Sequence, residues 1–347
     1  MAAHPKRRRP WLRLLGAFTL LIAVGMQGLA YMHARAFTHF APAGERTPAP
    51  EHITWSGKLR ALVLGARVPH PINDRTPADL GLAFETVKIK GDEGDLELWV
   101  IRHPAPRGVV LLVHGYSESK KQVLPVARRF YDLGWTCVLV DLRGSGGSEG
   151  DRTSIGYHEA RDVVASVRWI NDALAEPSPL LYGFSMGSAT VLRAVAVEHV
   201  TPRAMIVEAV FDRMLSTVEH RFAMLHVPAF PMARMLVFWG GMQNGFNGFR
   251  HNPVDYASAV TCPTLVLHGA DDERVKTSEA RAVFDGLRGP KSFHVFDHAG
   301  HQASLDVDAD AWAKVIEEFL AKAAGKRALG PSLDPRSGDG ELTRSGE

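Results

Sequence analysis

The sequence contains very little cysteine, with two residues of this type among 347. Two cysteines cannot build the disulfide framework of a small secreted domain, and no Cys and His spacing typical of a zinc site occurs. Cys137 lies in an apolar segment and Cys262 precedes a proline. We therefore expect both to be small buried side chains, and we expect no metal centre.

An excess of charge of one sign is also lacking, because 40 Lys and Arg residues stand against 38 Asp and Glu residues, a net charge of +2. Such a protein is not expected to bind nucleic acid. The glycine-rich residues 144–147 could be mistaken for a phosphate-binding loop, but no Gly-Lys-Ser/Thr follows them. The sequence has no internal repeat, gives no sign of a cofactor, and leaves the oligomeric state open.

One long apolar run lies near the N-terminus, where residues 14–32 form nineteen consecutive positions without a charge. As a helix this run would measure about 28 Å, close to the ~30 Å hydrocarbon core of a bilayer. Basic residues precede it at 6–9 and Arg13. Residues 1–36 are therefore predicted to anchor the chain in a membrane, with the folded part of the chain on the extracytoplasmic side. The alternative is a signal peptide cleaved near Ala34-Arg35-Ala36, which would leave a secreted or periplasmic protein.

Composition divides the rest of the chain into three parts. Residues 37–81 are rich in proline and are interpreted as a linker with one short helix near 57–64. Residues 82–324 are predicted to form one folded domain. Residues 325–347 are rich in Gly, Ser, Pro and charge and are predicted to be a disordered tail.

Short apolar runs alternate with helical patterns through the predicted domain. Strands are predicted at 84–90, 96–102, 109–113, 136–140, 180–184, 204–207, 264–267 and 292–296. Helices are predicted at 122–133, 157–174, 188–198, 277–287 and 308–324. This alternation indicates an α/β fold with a mostly parallel central sheet and helices on both faces.

Ser185 has the sequence context of a nucleophile. It lies in Gly183-Phe184-Ser185-Met186-Gly187, directly after an apolar strand and directly before a helix. In a nucleophile elbow the serine occupies a strained turn, and its neighbours must be small because strand and helix pack closely there. The alternative interpretation is a glycine-rich turn that carries a solvated serine.

A second apolar strand, 109–113, ends in His114-Gly115-Tyr116. Acyl transfer needs two backbone N–H groups that point at the developing oxyanion. One such group normally belongs to the residue after the nucleophile, here Met186, and the other to the loop after this upstream strand. We expect the Tyr116 amide to be the second donor, and we interpret His114 as a structural loop histidine.

Two later segments supply candidates for an acid and a base. Strand 264–267 is followed by Asp271 and Asp272, and the strand ending near 296 is followed by His298 and His301. The acid should stand rigidly at a strand end, and a histidine on a loop after the last strand can reach both serine and acid. Ser185, Asp272 and His301 then follow the chain order Ser, Asp, His.

Together these motifs give the chain a resemblance to the α/β-hydrolase-fold serine hydrolases, over about residues 82–324. The motifs that carry it are His114-Gly115, residues 141–148, residues 183–187, residues 269–272 and Gly300-His301. The family commonly has Gly-x-x-Asp followed three residues later by Val, which favours Asp272 over Asp271. The resemblance also implies structural roles for Asp141 and Arg143, and the start of helix 157–174 is similar to the branch of bacterial esterases, lipases and acyl-peptidase-like enzymes.

A long insertion at about residues 211–256 stands where α/β-hydrolases carry a cap, so a helical cap insertion is expected. It holds half of the ten methionines and many aromatic residues. Flexible thioethers and aromatic rings above a serine suit an adaptable apolar pocket. The expected substrate is a small-molecule or lipid-like ester with an apolar acyl or alkyl group.

The sequence therefore predicts a serine hydrolase that cleaves carboxylic esters through a Ser-His-Asp triad and an acyl-enzyme, without a cofactor. Two alternatives use the same machinery: a serine aminopeptidase or acyl-peptidase, and an acyltransferase. A third, from a different class, is a non-catalytic binding module tethered to the membrane. Fold alone does not choose among these reactions.

Overall fold

The computed structural model describes residues 10–42, 44–48 and 53–327. The basic cluster at residues 6–9 lies outside the described residues, and so do residues 328–347 of the predicted disordered tail. Residues 325–327 of that predicted tail belong instead to the last helix, Ala309–Arg327. Alanine and lysine dominate the sequence just before this point, and both favour the continuation of a helix.

Eight strands of the described chain form one sheet in the order β1-β2-β4-β3-β5-β6-β7-β8. Their bounds are β1 Glu85–Gly91, β2 Gly94–Ile101, β3 Val109–Val113, β4 Thr136–Val140, β5 Leu180–Phe184, β6 Ala204–Glu208, β7 Thr264–Gly269 and β8 Lys291–Phe296. Strand β1 pairs antiparallel with β2, and β2 pairs antiparallel with β4. Strands β3 to β8 are parallel to one another. The predicted α/β class with a mostly parallel sheet is confirmed.

Ten α-helices of the described residues accompany the sheet. They are α1 Pro10–Thr38, α2 Trp55–Leu64, α3 Leu124–Asp132, α4 Ala160–Leu174, α5 Met186–Ala196, α6 Met214–Leu225, α7 Met232–Gln243, α8 Pro253–Ala257, α9 Thr277–Gly286 and α10 Ala309–Arg327. The sequence placed the start of α4 three residues too early. The Glu159 carboxylate folds back onto the amides of Ser154 and Gly156, which keeps that stretch out of the helix.

Strand β3 explains why the sequence pattern locates the sheet so well. Val109, Leu111 and Val113 belong to one buried apolar cluster. Val110 and Leu112 belong to another. Successive side chains of a strand point to opposite faces, so β3 is covered by apolar groups on both sides. A strand buried in this way has a continuous apolar sequence rather than an alternating one.

The chain between β6 and β7 contains α6, α7 and α8, and we call this insertion the cap. A small apolar cluster joins the cap to the helix that follows Ser185. In it Phe211, Met214 and Val237 of the cap pack with Ala189 of α5 and with Val275. The cap therefore lies directly above the N-terminal half of α5.

Helix α1 extends two residues beyond the predicted N-terminal segment. By length and composition, Trp11–Thr38 is the one helix of the described residues that could cross a membrane, because an 18-residue stretch of it has a mean hydropathy of 1.7 and is little buried against the protein. A signal sequence or a soluble core helix passes the same test of length and composition. The predicted short helix of the linker corresponds to α2.

Candidate active site

Ser185 lies in a sharp turn between β5 and α5, with φ 51° and ψ −111°. A positive φ is uncommon for a residue other than glycine and indicates local strain. The neighbouring glycines are required by close packing. A Cβ on Gly183 would lie 2.4 Å from the Gly187 carbonyl oxygen, and one on Gly187 would lie 2.3 Å from that of Val113. The turn therefore forces the serine side chain away from the sheet.

The structure brings Ser185, Asp272 and His301 together from three separate segments. The Ser185 Oγ lies 3.0 Å from the His301 Nε2, and the His301 Nδ1 lies 2.7 Å from the Asp272 Oδ2. The His301 side chain is 10% exposed and that of Asp272 is fully buried. This arrangement allows a hydroxyl proton to pass to an imidazole that a buried carboxylate holds from behind.

Asp272 is held by more than the histidine. Its Oδ1 accepts hydrogen bonds from the amides of Arg274 at 2.8 Å and Val275 at 2.9 Å. Burial acts to raise the pKa of Asp272, but the hydrogen bond and charge of His301 and these two amides outweigh it, so the pKa is lowered from its ordinary value. Asp272 is thus an ionised hydrogen-bond acceptor at neutral pH.

The rival residues lie elsewhere. The side chains of His298 and Asp271 are 91% and 68% exposed, and they face each other at 3.9 Å between Nδ1 and Oδ2. Neither makes a hydrogen bond to Ser185 or to the buried pair Asp272 and His301 among the described residues.

Met186 directly follows Ser185, and the loop that carries Tyr116 approaches the same turn, because a Cβ on Gly115 would lie 3.5 Å from the Phe184 carbonyl oxygen. Neither the Tyr116 nor the Met186 amide donates a hydrogen bond to another described residue. The preceding amide, that of Gly115, donates to the Gln122 Oε1 at 2.7 Å, which fixes the loop. Sequence reasoning missed Gln122, and no local pattern points to it.

His114 makes hydrogen bonds to backbone groups only. Its Nδ1 lies 2.8 Å from the Gly115 carbonyl oxygen, and its Nε2 accepts from the Leu142 amide at 3.1 Å. Burial lowers the pKa of His114, which keeps the ring neutral. The ring therefore ties the loop after β3 to the loop after β4.

Asp141 and Arg143 hold the loop that follows β4. The Asp141 carboxylate accepts from the amides of Lys120 and Gly147, both at 2.8 Å, and contacts the buried Lys120 ammonium. Arg143 forms an ion pair with Asp162 of α4 at 2.7 Å. These contacts fasten the loop to its neighbours and not to Ser185.

Sequence reasoning also missed Glu208, which lies behind the nucleophile. Its backbone carbonyl accepts from the Ser185 amide at 2.8 Å. Its carboxylate accepts from the Tyr182 hydroxyl and from the Ser304 amide, each at 2.5 Å. Glu208 thereby connects the serine turn to the loop that carries His301. A charged residue at the end of the apolar run 204–207 was the available signal.

The environment of Glu208 opposes its ionisation. Full burial raises its pKa, and the hydrogen bonds from Tyr182 and Ser304 only partly counteract this effect.

In the described residues, no group of three or more His, Cys, Asp or Glu side chains is arranged to hold a metal ion.

Comparison with known proteins agrees with this architecture. Residues 104–234 match the family model described as serine aminopeptidase, S33. The chain is 27% identical over 249 residues to a monoacylglycerol lipase of Mycolicibacterium smegmatis, which covers 60% of this chain and 88% of that protein. It is 25% identical over 225 residues to the uncharacterized protein YqkD of Bacillus subtilis, and the alignment covers 64% of this chain and 73% of that protein.

A solved structure decides the fold. The esterase Pf2001 of Pyrococcus furiosus superposes with a TM-score of 0.61 and 22% identity, over 73% of this chain and 98% of that chain. The chain has the α/β-hydrolase fold. The family model spans Tyr116, Ser185 and Met186 and ends before Asp272 and His301. Two of these three similar proteins are named as a lipase and an esterase.

Proposed function

We propose that this chain, which has the α/β-hydrolase fold, is a serine hydrolase that cleaves carboxylic esters. Ser185 is the nucleophile, His301 the general base and Asp272 the residue that orients the imidazole. The observation that carries the proposal is the continuous hydrogen-bonded series from the Ser185 Oγ through His301 to Asp272, at 3.0 Å and 2.7 Å. Hydroxyl and imidazole stand within the range needed for proton transfer.

The proposed reaction proceeds in two halves. His301 accepts the proton of Ser185 as the Oγ attacks the ester carbonyl, and Asp272 stabilises the imidazolium. The amides of Tyr116 and Met186 bind the oxyanion of the tetrahedral intermediate, and the alcohol leaves with a proton from His301. Water, activated by the same imidazole, then hydrolyses the acyl-enzyme.

The proposed substrate carries an apolar acyl or alkyl group. Support comes from the apolar cluster of Phe211, Met214 and Val237 above α5, and from the similarity to a monoacylglycerol lipase. Other apolar side chains of the cap face outward, since Phe238 is 46% and Met242 is 60% exposed. These two exposed side chains are therefore not part of the buried cluster above α5.

A second candidate function is the cleavage of peptide bonds. The matching family model is described as a serine aminopeptidase, and the same three side chains can attack an amide. Transfer of the acyl group to an alcohol is a third use of the acyl-enzyme. A panel of esters, aminoacyl amides and alcohol acceptors separates the three, and ester hydrolysis is expected to be fastest.

A fluorophosphonate probe tests the mechanism directly, because it modifies an activated serine. Wild type should be labelled on Ser185 and should hydrolyse p-nitrophenyl esters, with chain length varied to define the acyl group. Ser185→Ala should lose the label and about 10⁴-fold or more of the rate. Ser258→Ala, at an exposed serine, is the matched control and should behave as wild type. Equal hydrolysis by Ser185→Ala would refute the assignment.

We also propose that α1 remains attached and anchors the enzyme in a membrane, with the catalytic domain on the extracytoplasmic side. Support comes from the exposed apolar surface of Trp11–Thr38 and from Arg13 on its N-terminal side. Intact-mass measurement of membrane-extracted protein should find the N-terminal residues. A mature chain beginning after Ala36 would show instead that the segment is a cleaved signal peptide.

A further inference from the structure

Helix α1 has two distinct halves. Every residue from 11 to 25 is exposed, so this half projects from the protein without support. From Met26 onward one side of the helix faces the folded chain, and Ala30, Ala34 and Thr38 are buried. Residues four apart lie on one face of a helix. That face packs against the cap helix α7.

Two polar contacts fix how α1 and α7 lie together. The Trp239 Nε1 donates to the Gln27 Oε1 at 2.8 Å, and the Gln243 Nε2 donates to the Tyr31 carbonyl oxygen at 2.9 Å. The rings of Tyr31 and Trp239 also meet edge to face, with centroids 5.3 Å apart. Both pairs advance by four residues in the same direction. The two helices are therefore parallel, and the N-terminal end of α7 points toward the N-terminal end of α1.

The unsupported half of α1 is too short to cross a bilayer. After Arg13, residues 14–25 comprise twelve positions, which extend about 18 Å as a helix. The hydrocarbon core is about 30 Å thick, and tilt only increases the length required. The remaining ~12 Å, about eight residues, must come from positions 26–33. Those positions are where α7 lies against α1.

The composition of α7 suits this location. The helix Met232–Gln243 has no acidic residue, and Arg234 is its one charged side chain. Arg234, Phe238 and Met242 form an exposed stripe at four-residue spacing. An arginine can extend its guanidinium to the headgroups while its stem stays in an apolar layer. Phe230, just before the helix, is 77% exposed.

We infer that α7 is embedded in the outer leaflet of the membrane beside α1, with Phe238 and Met242 in contact with lipid. The inference depends on the proposed membrane anchor, because the length argument requires that α1 crosses the bilayer. A different face of α7, about 100° around the helix from Phe238, carries Val237, which packs in the cluster that covers α5. One helix thus touches lipid with one face and covers the nucleophile helix with another, which places the active site at the bilayer surface.

Site-directed spin labelling of the full-length protein in phosphatidylcholine vesicles tests this directly. In a Cys262→Ser background, where Cys137 is fully buried, nitroxides are attached to Phe238→Cys, to Met242→Cys and to the control Asp172→Cys on α4. Collision rates with oxygen and with a water-soluble nickel chelate report lipid or water around each label. Circular dichroism verifies that each variant is folded.

Labels at positions 238 and 242 should be protected from the nickel chelate at least several-fold relative to the label at 172, and should favour oxygen. Equal nickel accessibility at the three positions would overturn the inference. The readout needs no turnover, so a failure of the proposed esterase activity cannot be mistaken for a failure of the membrane contact.

A functional comparison gives a second, independent outcome. Phe238→Gln should lower the hydrolysis of a long-chain monoacylglycerol in vesicles several-fold while leaving a short soluble ester within about twofold. Val197→Gln, at another exposed apolar position after α5, should leave both substrates unaffected. A loss by Phe238→Gln that is equal for both substrates, or no loss at all, would contradict the inference.

Discussion

The Tyr116 hydroxyl donates a 2.7 Å hydrogen bond to the carbonyl oxygen of Phe37. Phe37 lies in the last turn of α1, and the backbone amide of Tyr116 is one of the two proposed oxyanion donors. The N-terminal helix is thereby connected to the proposed catalytic loop through one side chain.

Replacement of this tyrosine gives the first prediction. Tyr116→Phe keeps the backbone amide but loses the contact with Phe37, so the loop is less well positioned. Such a hydrogen bond contributes about 1 kcal/mol, so kcat should fall roughly fivefold while KM changes little. Tyr131→Phe on α3 is the control. Steady-state kinetics on a soluble ester that show no change in kcat would contradict a positioning role for the hydroxyl.

The adjacent aspartates provide a matched pair. Asp272→Asn retains an oxygen that can accept from the amides of Val275 and Arg274, but it no longer presents a carboxylate to His301. The rate should fall on the order of 10⁴-fold, as expected when the imidazole loses its orienting carboxylate. Asp271→Asn should be nearly neutral because that side chain is exposed. A larger loss in Asp271→Asn, measured as kcat/KM, would reassign the acid.

Glu208 should position the loop that carries His301. In Glu208→Ala the buried Tyr182 hydroxyl and Ser304 amide lose their acceptor, which costs about 1–3 kcal/mol for each unsatisfied group. We expect lower stability in chemical unfolding together with slower fluorophosphonate labelling of Ser185. Glu208→Gln, which still accepts from the Ser304 amide, should recover most of the labelling rate. Labelling of Glu208→Ala at the wild-type rate would show that the loop needs no such support.

His251 at the base of the cap should make stability depend on pH. Its ring lies 2.9 Å from both the Tyr256 hydroxyl and the Ile155 carbonyl oxygen. Burial lowers the pKa of His251 to about 4, although the bond to Ile155 opposes the shift. The unfolded imidazole binds a proton near pH 6.5 and the folded one only near pH 4. Acidification between these values therefore favours unfolding, by roughly 3 kcal/mol in total.

The measurement is the free energy of unfolding in urea at pH 7.5 and pH 4.5. Other groups also titrate in this range, so the informative quantity is the difference between wild type and His251→Gln. Wild type should lose about 2–3 kcal/mol more than the variant on acidification. The same loss in both proteins would exclude His251 as the source.

The predicted bounds of several elements agree with the structure to the residue. The bounds of β3, β4 and β5 agree with the apolar runs because both faces of these strands are buried, so the pattern ends where the strand ends. Helix α5 begins two residues earlier than predicted, directly after the strained Ser185. Glycines in that turn are required by neighbouring backbone atoms, a contact that single-sequence reasoning can infer only from a motif.

Other features depend on distant parts of the chain. The bond between Tyr116 and Phe37 has no local sequence signature, since its partners lie 79 residues apart. The same holds for the contact of Gln27 with Trp239, which places the N-terminal helix along the cap. No periodicity within either helix specifies that partner.

The amino-acid sequence by itself determined the order of strands and helices, the tight turn around Ser185 and the apolar N-terminal helix, because local side-chain patterns and backbone sterics control these features. Only the tertiary structure decided that Asp272 and His301, and not Asp271 and His298, lie behind the serine. It also decided that α7 lies beside α1. Distances between remote residues depend on how whole elements pack, and that packing is a property of the assembled core rather than of any one segment.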